Sequence, residues 1–324
     1  MDFYKLLTRY KQFGGLQLVW EYVKLGILQV AVKSFFCCII KRQSFKAIYP
    51  GVLKRIEPFL IEKFQVSRFK IQDNELSHDH PRIIWWCWLQ GKKQAPPVVQ
   101  ACYNSLKKNL PEYEINVIDA ENWNEYVELP EYILKKWGKK QIPPALFSDL
   151  LRLQLLIKYG GTWIDSTVLC TLDSSSKFQD SSAQKYLNAD LFLFQYTPEG
   201  TTKDISISNW FISAHSNNDV LMTLRDMLFA YWKDYNCTLD YYIFHLFFKL
   251  VAEQYQENIA AMPYGYSIYS LVLLNHWNET FDQKKWVKLA NNVSFHKLAF
   301  RIDQKIIDKK DNYYNKLIEK YGCF

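Results

Sequence analysis

The sequence predicts an α/β fold, a doubly wound mixed sheet flanked by helices, preceded by an α-helical N-terminal segment. Three observations support this prediction. From residue 82 onwards, short β-branched and aromatic runs alternate with longer segments of helical periodicity. Hydrophobic residues make up 49% of the 324, which is enough for a large core. The first 60 residues stand apart, because they carry ten Lys or Arg against three acidic residues.

The N-terminal 78 residues are predicted to form a basic helical region. The net charge of +7 belongs to the first 60 residues and the remainder is neutral, which argues against a nucleic-acid-binding domain. Lysines interrupt the apolar runs, so none approaches the ~20 residues of a membrane span. Aromatic and apolar side chains among the lysines suit a helix lying at an anionic membrane surface, namely Trp20, Phe35, Phe36 and Ile39. The alternative is a helical hairpin packed on the main domain.

The main domain is predicted at residues 79–302, followed by a C-terminal helix at 303–324. It opens with a buried strand at 82–89, a helix at 96–110 and a strand at 114–120 that contains Asp119. Later segments in the same domain are predicted as a loop at 173–184, strands at 189–196 and 208–214, and amphipathic helices at 217–235 and 239–255. The polar loop between the two later strands is either an acceptor-binding loop or a plain hairpin connection.

The central stretch from residue 142 to 171 is predicted as a helix, a glycine turn and a short strand. Pro143 and Pro144 suit a first helical turn, and Gly160 falls where a left-handed residue commonly ends a helix. Residues 162–164 have strand composition, and Asp165 follows them. Ligands of α/β sheets bind at the carboxyl ends of strands, so this carboxylate is a candidate site residue.

Two charged residues share one face of the predicted central helix. Asp149 and Arg152 are three residues apart and project together from an apolar helix. One reading is an ordinary ion pair worth a few tenths of a kcal/mol. The other combines them with Asp165 in a site for an anionic ligand and a metal ion.

The segment SDLLRLQLLIKYGGTWIDSTV, residues 148–168, resembles the signature of family-32 glycosyltransferases, in their bacterial capsular polysaccharide synthesis branch. The resemblance implies a GT-A nucleotide-binding domain, a sugar-nucleotide donor and a divalent metal held by an Asp-x-Asp motif. Here that motif is Asp165-Ser166-Thr167, which has one carboxylate where the wider family has two.

The resemblance, together with the strand-end position of Asp119 and the helical position of His245, assigns roles to individual residues. A Mn²⁺ or Mg²⁺ cofactor is expected at Asp165, Thr167 and His296. The UDP-sugar is expected at Trp88, Gln90, Asp119, Asp149, Arg152, Gly161 and Lys297. Catalytic candidates are Asp149, Arg152, Asn209 and His245. Three of these residues keep an alternative: Trp88 and His245 as core side chains, and Asp119 as a helix cap.

The implied function is a retaining transferase that moves galactose or glucose from a UDP-sugar to a lipid-linked oligosaccharide in capsular or extracellular polysaccharide synthesis. Seven scattered cysteines without CxxC spacing favour the cytosol, so the protein is expected at the cytoplasmic face of the membrane. Two alternatives stay open. One is a non-catalytic, membrane-peripheral partner in a polysaccharide assembly complex. The other is an aspartyl phosphotransferase with Asp165 as nucleophile.

Overall fold

The computed structural model describes residues 3–40, 45–69, 81–172, 182–201 and 203–322. The chain divides into two compact units. The first consists of Met1–Asp73, Glu128–Leu153 and Asp219–Gln254, and the second of Asn74–Val127, Gln154–Asn218 and Tyr255–Phe324. This grouping differs from the predicted succession of three segments, because two interior stretches pack with the N-terminal helices.

The second unit contains the β-structure of the described residues. Its strands are β1 (Ile83–Cys87), β2 (Glu114–Ile118), β3 (Gly161–Ile164), β4 (Val168–Cys170), β5 (Leu191–Gln195), β6 (Ile207–Ala214) and β7 (Phe295–Lys297). Five of them form a mixed sheet in the order β2-β1-β3-β6-β5. β1 pairs in parallel with β2 and β3, whereas β6 runs antiparallel to β3 and β5. β4 and β7 form a separate antiparallel pair.

The helices of the second unit cover this β-structure and complete its core. They are α5 (Pro97–Asn109), α6 (Trp123–Tyr126), α9 (Ser182–Leu187), α12 (Gln256–Ala261), α13 (Ser267–Ser270), α14 (Val272–His276), α15 (Gln283–Asn292), α16 (Gln304–Asp308) and α17 (Tyr313–Tyr321). Val98, Cys102 and Leu106 of α5 are fully buried in one apolar cluster with Ile84 and Ile164 of the sheet. α17 packs on α5 and belongs to the same cluster.

The described residues of the first unit form helices and their connections, without a strand. Its helices are α1 (Phe3–Gln12), α2 (Leu16–Lys24), α3 (Leu28–Ile40), α4 (Phe45–Lys63), α7 (Glu131–Gly138), α10 (Asp219–Asp234) and α11 (Ile243–Gln254). The central helix, α8 (Pro144–Tyr159), begins in this unit and ends in the second. α10 packs against α7 and α11.

The N-terminal helices are tied to α10 and α11 by specific contacts. The Phe64 ring lies 5.4 Å from that of Phe247 and 6.1 Å from that of Tyr231. Lys63 forms an ion pair of 2.9 Å with Asp234, and the Phe13 carbonyl accepts a 2.8 Å hydrogen bond from the Thr238 amide. The basic N-terminus is therefore an integral part of the first unit.

The predicted α/β class and mixed sheet are confirmed, while two local predictions need correction. The C-terminal segment is two helices instead of one. The predicted loop at 173–184 lies outside the described residues up to 181, and its last residues begin α9. The GT-A assignment stays a prediction.

Candidate functional site

The carboxyl ends of three parallel strands meet at one edge of the sheet. β1, β2 and β3 are parallel neighbours, so the residues that follow Cys87, Ile118 and Ile164 lie on the same side. Asp165 comes directly after β3, and its amide donates a 2.8 Å hydrogen bond to the Trp210 carbonyl of β6. This edge is where ligands of α/β sheets bind, as the sequence predicted for Asp165.

A lysine from the C-terminal part of the chain joins Asp165 at this edge. The Lys297 Nζ donates to Asp165 Oδ2 at 2.9 Å and to Thr167 Oγ1 at 2.5 Å. The β4–β7 pairing places it there, because Val168 lies opposite Lys297 and the Leu298 amide donates to the Thr167 carbonyl at 2.9 Å. Both charged side chains keep about a quarter of their surface exposed, 22% for Lys297 and 24% for Asp165.

Trp163 orients the carboxylate, a role that the sequence reasoning missed. Its indole Nε1 donates to Asp165 Oδ1 at 2.9 Å, so the two carboxylate oxygens have different partners. The ring itself is buried in the sheet. Residues two apart in a strand point to the same face, and this spacing is the signal that could have found the contact.

His296 does not accompany Lys297. Successive residues of a strand point to opposite faces, so His296 of β7 faces away from the side chain of Lys297. Its Nε2 lies 3.0 Å from Thr171 Oγ1, and its Nδ1 is buried without a partner among the described residues. Burial lowers the pKa of His296 to about 4. This placement speaks against the predicted metal contact, because the ring is a buried, neutral core group.

The side chains at Asp165 do not fit a divalent metal ion. Mg²⁺ and Mn²⁺ prefer several oxygen ligands, commonly carboxylates, and Asp165 is the single carboxylate of the predicted set. Its oxygens accept from Trp163 and from the Lys297 ammonium, which also occupies the Thr167 hydroxyl. Among the described residues, no group of three or more His, Cys, Asp or Glu is arranged to hold a metal.

The predicted base-binding residues follow the neighbouring strands. Trp88 and Gln90 come after β1, and the Trp88 ring packs edge-on against Phe300 at 5.3 Å. Asp119 comes after β2, where its Oδ1 accepts the amides of Glu121 and Asn122 at 2.9 and 3.1 Å. Asp119 therefore stabilises a turn, and the helix-cap alternative is wrong, because the N-cap residue of α6 is Asn122. The donor contacts of all three residues stay predictions.

Asn209 lies near Asp165, whereas Gly161 lies at the far end of β3. Asn209 precedes Trp210 in β6 and is half-buried near the Asp165 end of β3. Gly161 is the first residue of β3, at the opposite end of the strand. Its φ is +89°, and an added Cβ would lie 2.6 Å from the Ile83 carbonyl oxygen. Its place speaks against a donor contact, because close backbone packing requires a glycine there.

Asp149, Arg152 and His245 belong to the first unit. Arg152 Nη2 lies 3.2 Å from Asp149 Oδ1, and both side chains are buried, 5% and 8% exposed. The Arg152 Nη2 also donates to Ser148 Oγ at 3.1 Å. Burial, and secondarily the Arg152 charge, lower the pKa of His245 to about 4. Asp149 and Arg152 therefore form the ion pair that the sequence offered as one alternative. The pair is buried, unlike an ordinary surface ion pair.

The fold and the charged cluster define an α/β protein with a candidate anion site at the carboxyl edge of its sheet. The chain belongs to the family of capsular polysaccharide synthesis proteins, because the sequence pattern of that family matches residues 37–317. This confirms the predicted family, whereas its family-32 branch stays a prediction.

Comparison with solved structures and with curated proteins adds little. A PaToxG glycosyltransferase is similar to this chain at 13% identity and a TM-score of 0.36, over 81% of this chain and 94% of that chain. That likeness is too weak to bear on fold or function. The curated proteins give no match. Among the described residues, no helix is both long and apolar enough to cross a bilayer.

Proposed function

We propose that this protein is a GT-A-type glycosyltransferase of polysaccharide synthesis. It transfers a hexose, galactose or glucose, from a UDP-sugar to a lipid-linked oligosaccharide and retains the anomeric configuration. The observation that carries this proposal is the cluster of Asp165, Thr167 and Lys297 at the carboxyl end of β3, in a chain of the capsular polysaccharide synthesis family. A transfer of this kind needs fixed positive charge where a diphosphate leaves.

The reaction breaks the bond between the anomeric carbon and the diphosphate oxygen, and both electrons leave with UDP. A new bond forms to the acceptor hydroxyl oxygen, whose proton passes to the departing diphosphate. Lys297 supplies an ammonium that two neighbouring oxygens already hold in place. A preoriented charge stabilises the leaving group without reorganising during the reaction. The nucleotide base would lie toward Trp88, Gln90 and Asp119, which follow the adjacent parallel strands.

The remaining catalytic candidates are Asn209 in the second unit and Asp149, Arg152 and His245 in the first. Asn209 would contact the donor sugar, because β6 passes next to Asp165. Asp149 and Arg152 form a buried ion pair in the first unit, and their contact with the donor stays a prediction. His245 also belongs to the first unit, and its catalytic role stays a prediction.

The membrane part of the proposal rests on an outward apolar face of α2. Leu16, Trp20 and Val23 are 83%, 56% and 45% exposed and share one face, since they are four and three residues apart. Leu18 and Glu21 of the same helix are buried. An apolar stripe directed to solvent in a basic region suits a lipid surface with anionic headgroups, at the cytoplasmic face of the membrane.

Vesicle binding tests the membrane proposal. The full chain should sediment with vesicles that contain phosphatidylglycerol and much less with phosphatidylcholine alone, because basic charge and apolar contact act together. Trp20→Ser/Val23→Ser should lose most of that binding. The matched control is Val287→Ser, since Val287 is 46% exposed in the second unit. Undiminished binding by the double variant would count against a role for this face.

Donor turnover tests the transferase proposal. Release of UDP from a panel of UDP-sugars is measured with the purified protein, with and without Mn²⁺. One donor should turn over, and Asp165→Ala should abolish this turnover. Asp311→Ala is the control, because Asp311 is an exposed carboxylate on a surface turn.

The non-catalytic alternative is tested by the same preparation. A partner protein of an assembly complex would release no UDP from any donor. If calorimetry also finds no UDP binding, with or without metal, the transferase proposal fails and the non-catalytic account is the better one. The phosphotransferase alternative needs a second carboxylate in the motif, where this sequence has Thr167.

A further inference from the structure

The feature that leads beyond the proposed function is the position of the Lys297 ammonium. It lies within hydrogen-bonding distance of the two side chains that the motif offers to a metal ion, 2.9 Å from Asp165 Oδ2 and 2.5 Å from Thr167 Oγ1. The third residue predicted for the metal, His296, faces the other side of β7 and contacts Thr171. The positive charge next to Asp165 and Thr167 is therefore the ammonium of Lys297.

The charge balance of the cluster disfavours an added divalent ion. One carboxylate and one ammonium already neutralise each other at 2.9 Å. A divalent ion at the same oxygens would lie a few ångströms from the ammonium, with a single carboxylate to offset both charges, and like charges this close repel strongly. Thr167, at the position of the second carboxylate of an Asp-x-Asp motif, adds no negative charge. The same hydroxyl is a good acceptor for an ammonium.

The geometry of Lys297 also leaves capacity for a ligand. An ammonium has three N–H donors, and two of them have partners among the described residues, Asp165 and Thr167. The side chain keeps 22% of its surface exposed, so the third donor has access from the carboxyl edge of the sheet. Asp165 and Thr167 hold the nitrogen while a diphosphate oxygen accepts from it.

We propose that Lys297 replaces the divalent cation in this protein, so that donor binding and transfer proceed without a metal. The inference rests on the proposed function, since it concerns the diphosphate of a sugar-nucleotide donor. Asp165 and Thr167 are positioning residues for the ammonium in this arrangement. Lys297 is the residue that contacts the leaving diphosphate.

The test compares UDP binding by calorimetry in EDTA and in Mn²⁺. The wild-type protein should bind UDP with nearly the same affinity in both, and it should show no saturable binding of Mn²⁺ alone. Lys297→Met keeps a long side chain but removes its charge. This variant should bind UDP at least tenfold more weakly, equivalent to about 1.4 kcal/mol. Lys297→Arg should retain part of it. Lys288→Met is the matched control, because Lys288 is an exposed lysine of α15.

A gain-of-function variant makes the test sharper. Thr167→Asp/Lys297→Met removes the ammonium and supplies a second carboxylate, so it should bind Mn²⁺ alone and should need Mn²⁺ to bind UDP. Saturable Mn²⁺ binding by the wild type, or UDP binding that requires Mn²⁺, would overturn the inference and leave the proposed function intact. UDP binding under neither condition would overturn the proposed function, and the inference with it.

Discussion

Two acid–base pairs among the predicted site residues, Asp149 with Arg152 and Asp165 with Lys297, differ in how the chain forms and encloses them. The first pair is local, three residues apart on α8, and its side chains are 5% and 8% exposed. The second joins a strand end to β7 across 132 positions, and its side chains keep about a quarter of their surface exposed.

This difference separates a pair that is a structural requirement from one that can serve a ligand. Buried charges must compensate each other, because an unpaired charge in the interior is costly. A partly exposed pair contributes little to stability, so its partners can exchange one hydrogen bond for another at small cost. We therefore expect mutations at the α8 pair to affect stability, and mutations at the strand-end pair to affect activity.

The largest effect is expected from breaking the buried pair. Asp149→Ala should lower the free energy of unfolding by about 3–5 kcal/mol, because it leaves the Arg152 guanidinium buried without its carboxylate. Urea denaturation at pH 7 measures this. The double variant Asp149→Leu/Arg152→Met removes both charges and should be much closer to the wild type. A single-variant loss below about 1 kcal/mol would show that the pair behaves like a surface pair.

The corresponding change at the exposed pair should act on turnover. Asp165→Asn keeps the shape of the side chain but removes the charge that holds Lys297, so UDP release should fall about 100-fold or more, about 2.7 kcal/mol at the transition state. Initial rates with the preferred UDP-sugar measure this. Full activity in a correctly folded Asp165→Asn protein would remove the strand-end pair from the mechanism.

A smaller effect is expected from the two buried histidines as the pH is lowered. Burial lowers the pKa of His296 to about 4, and burial together with the Arg152 charge does the same for His245. Between pH 6.5 and 4 the unfolded chain binds protons that these rings do not, so stability falls as the pH falls through this window. The loss at pH 4.5 should be about 2–3 kcal/mol for each histidine.

Urea denaturation at pH 7 and pH 4.5 measures the acid effect. His296→Gln should lose less stability between the two pH values than the wild type does, because the protonation difference at this residue is gone. His276→Gln is the control, since that ring lies against Glu279 at 2.6 Å near the surface. If His296→Gln lost as much unfolding free energy between pH 7 and pH 4.5 as the wild type, His296 would have to be protonated in the folded protein at pH 4.5.

The smallest expected effect is on the stability of the strand-end pair itself. Lys297→Met should change the free energy of unfolding by less than about 1 kcal/mol, since the pair is partly exposed and screened by solvent. Thermal and urea denaturation at pH 7 measure this. A loss as large as that of Asp149→Ala would abolish the contrast between the two pairs.

The sequence by itself determined the local elements and the most informative residue. Alternating apolar runs predicted the strands that became β1, β2, β5 and β6, and helical periodicity with two prolines and a glycine predicted α8. The position of Asp165 at the end of β3 followed from the same pattern. These features depend on short-range hydrophobic spacing and backbone preferences, which the linear sequence displays directly.

The tertiary structure decided which residues meet. Nothing local predicts that β7 pairs with β4 and brings Lys297 to Asp165, or that strand alternation turns His296 away from it. Gly161 is only four residues before Asp165 in sequence but lies at the other end of β3, since each strand residue adds about 3.3 Å. Pairing register and long-range packing set these contacts, because many distant segments must fit together at once, whereas periodicity reports only which face of an element is apolar.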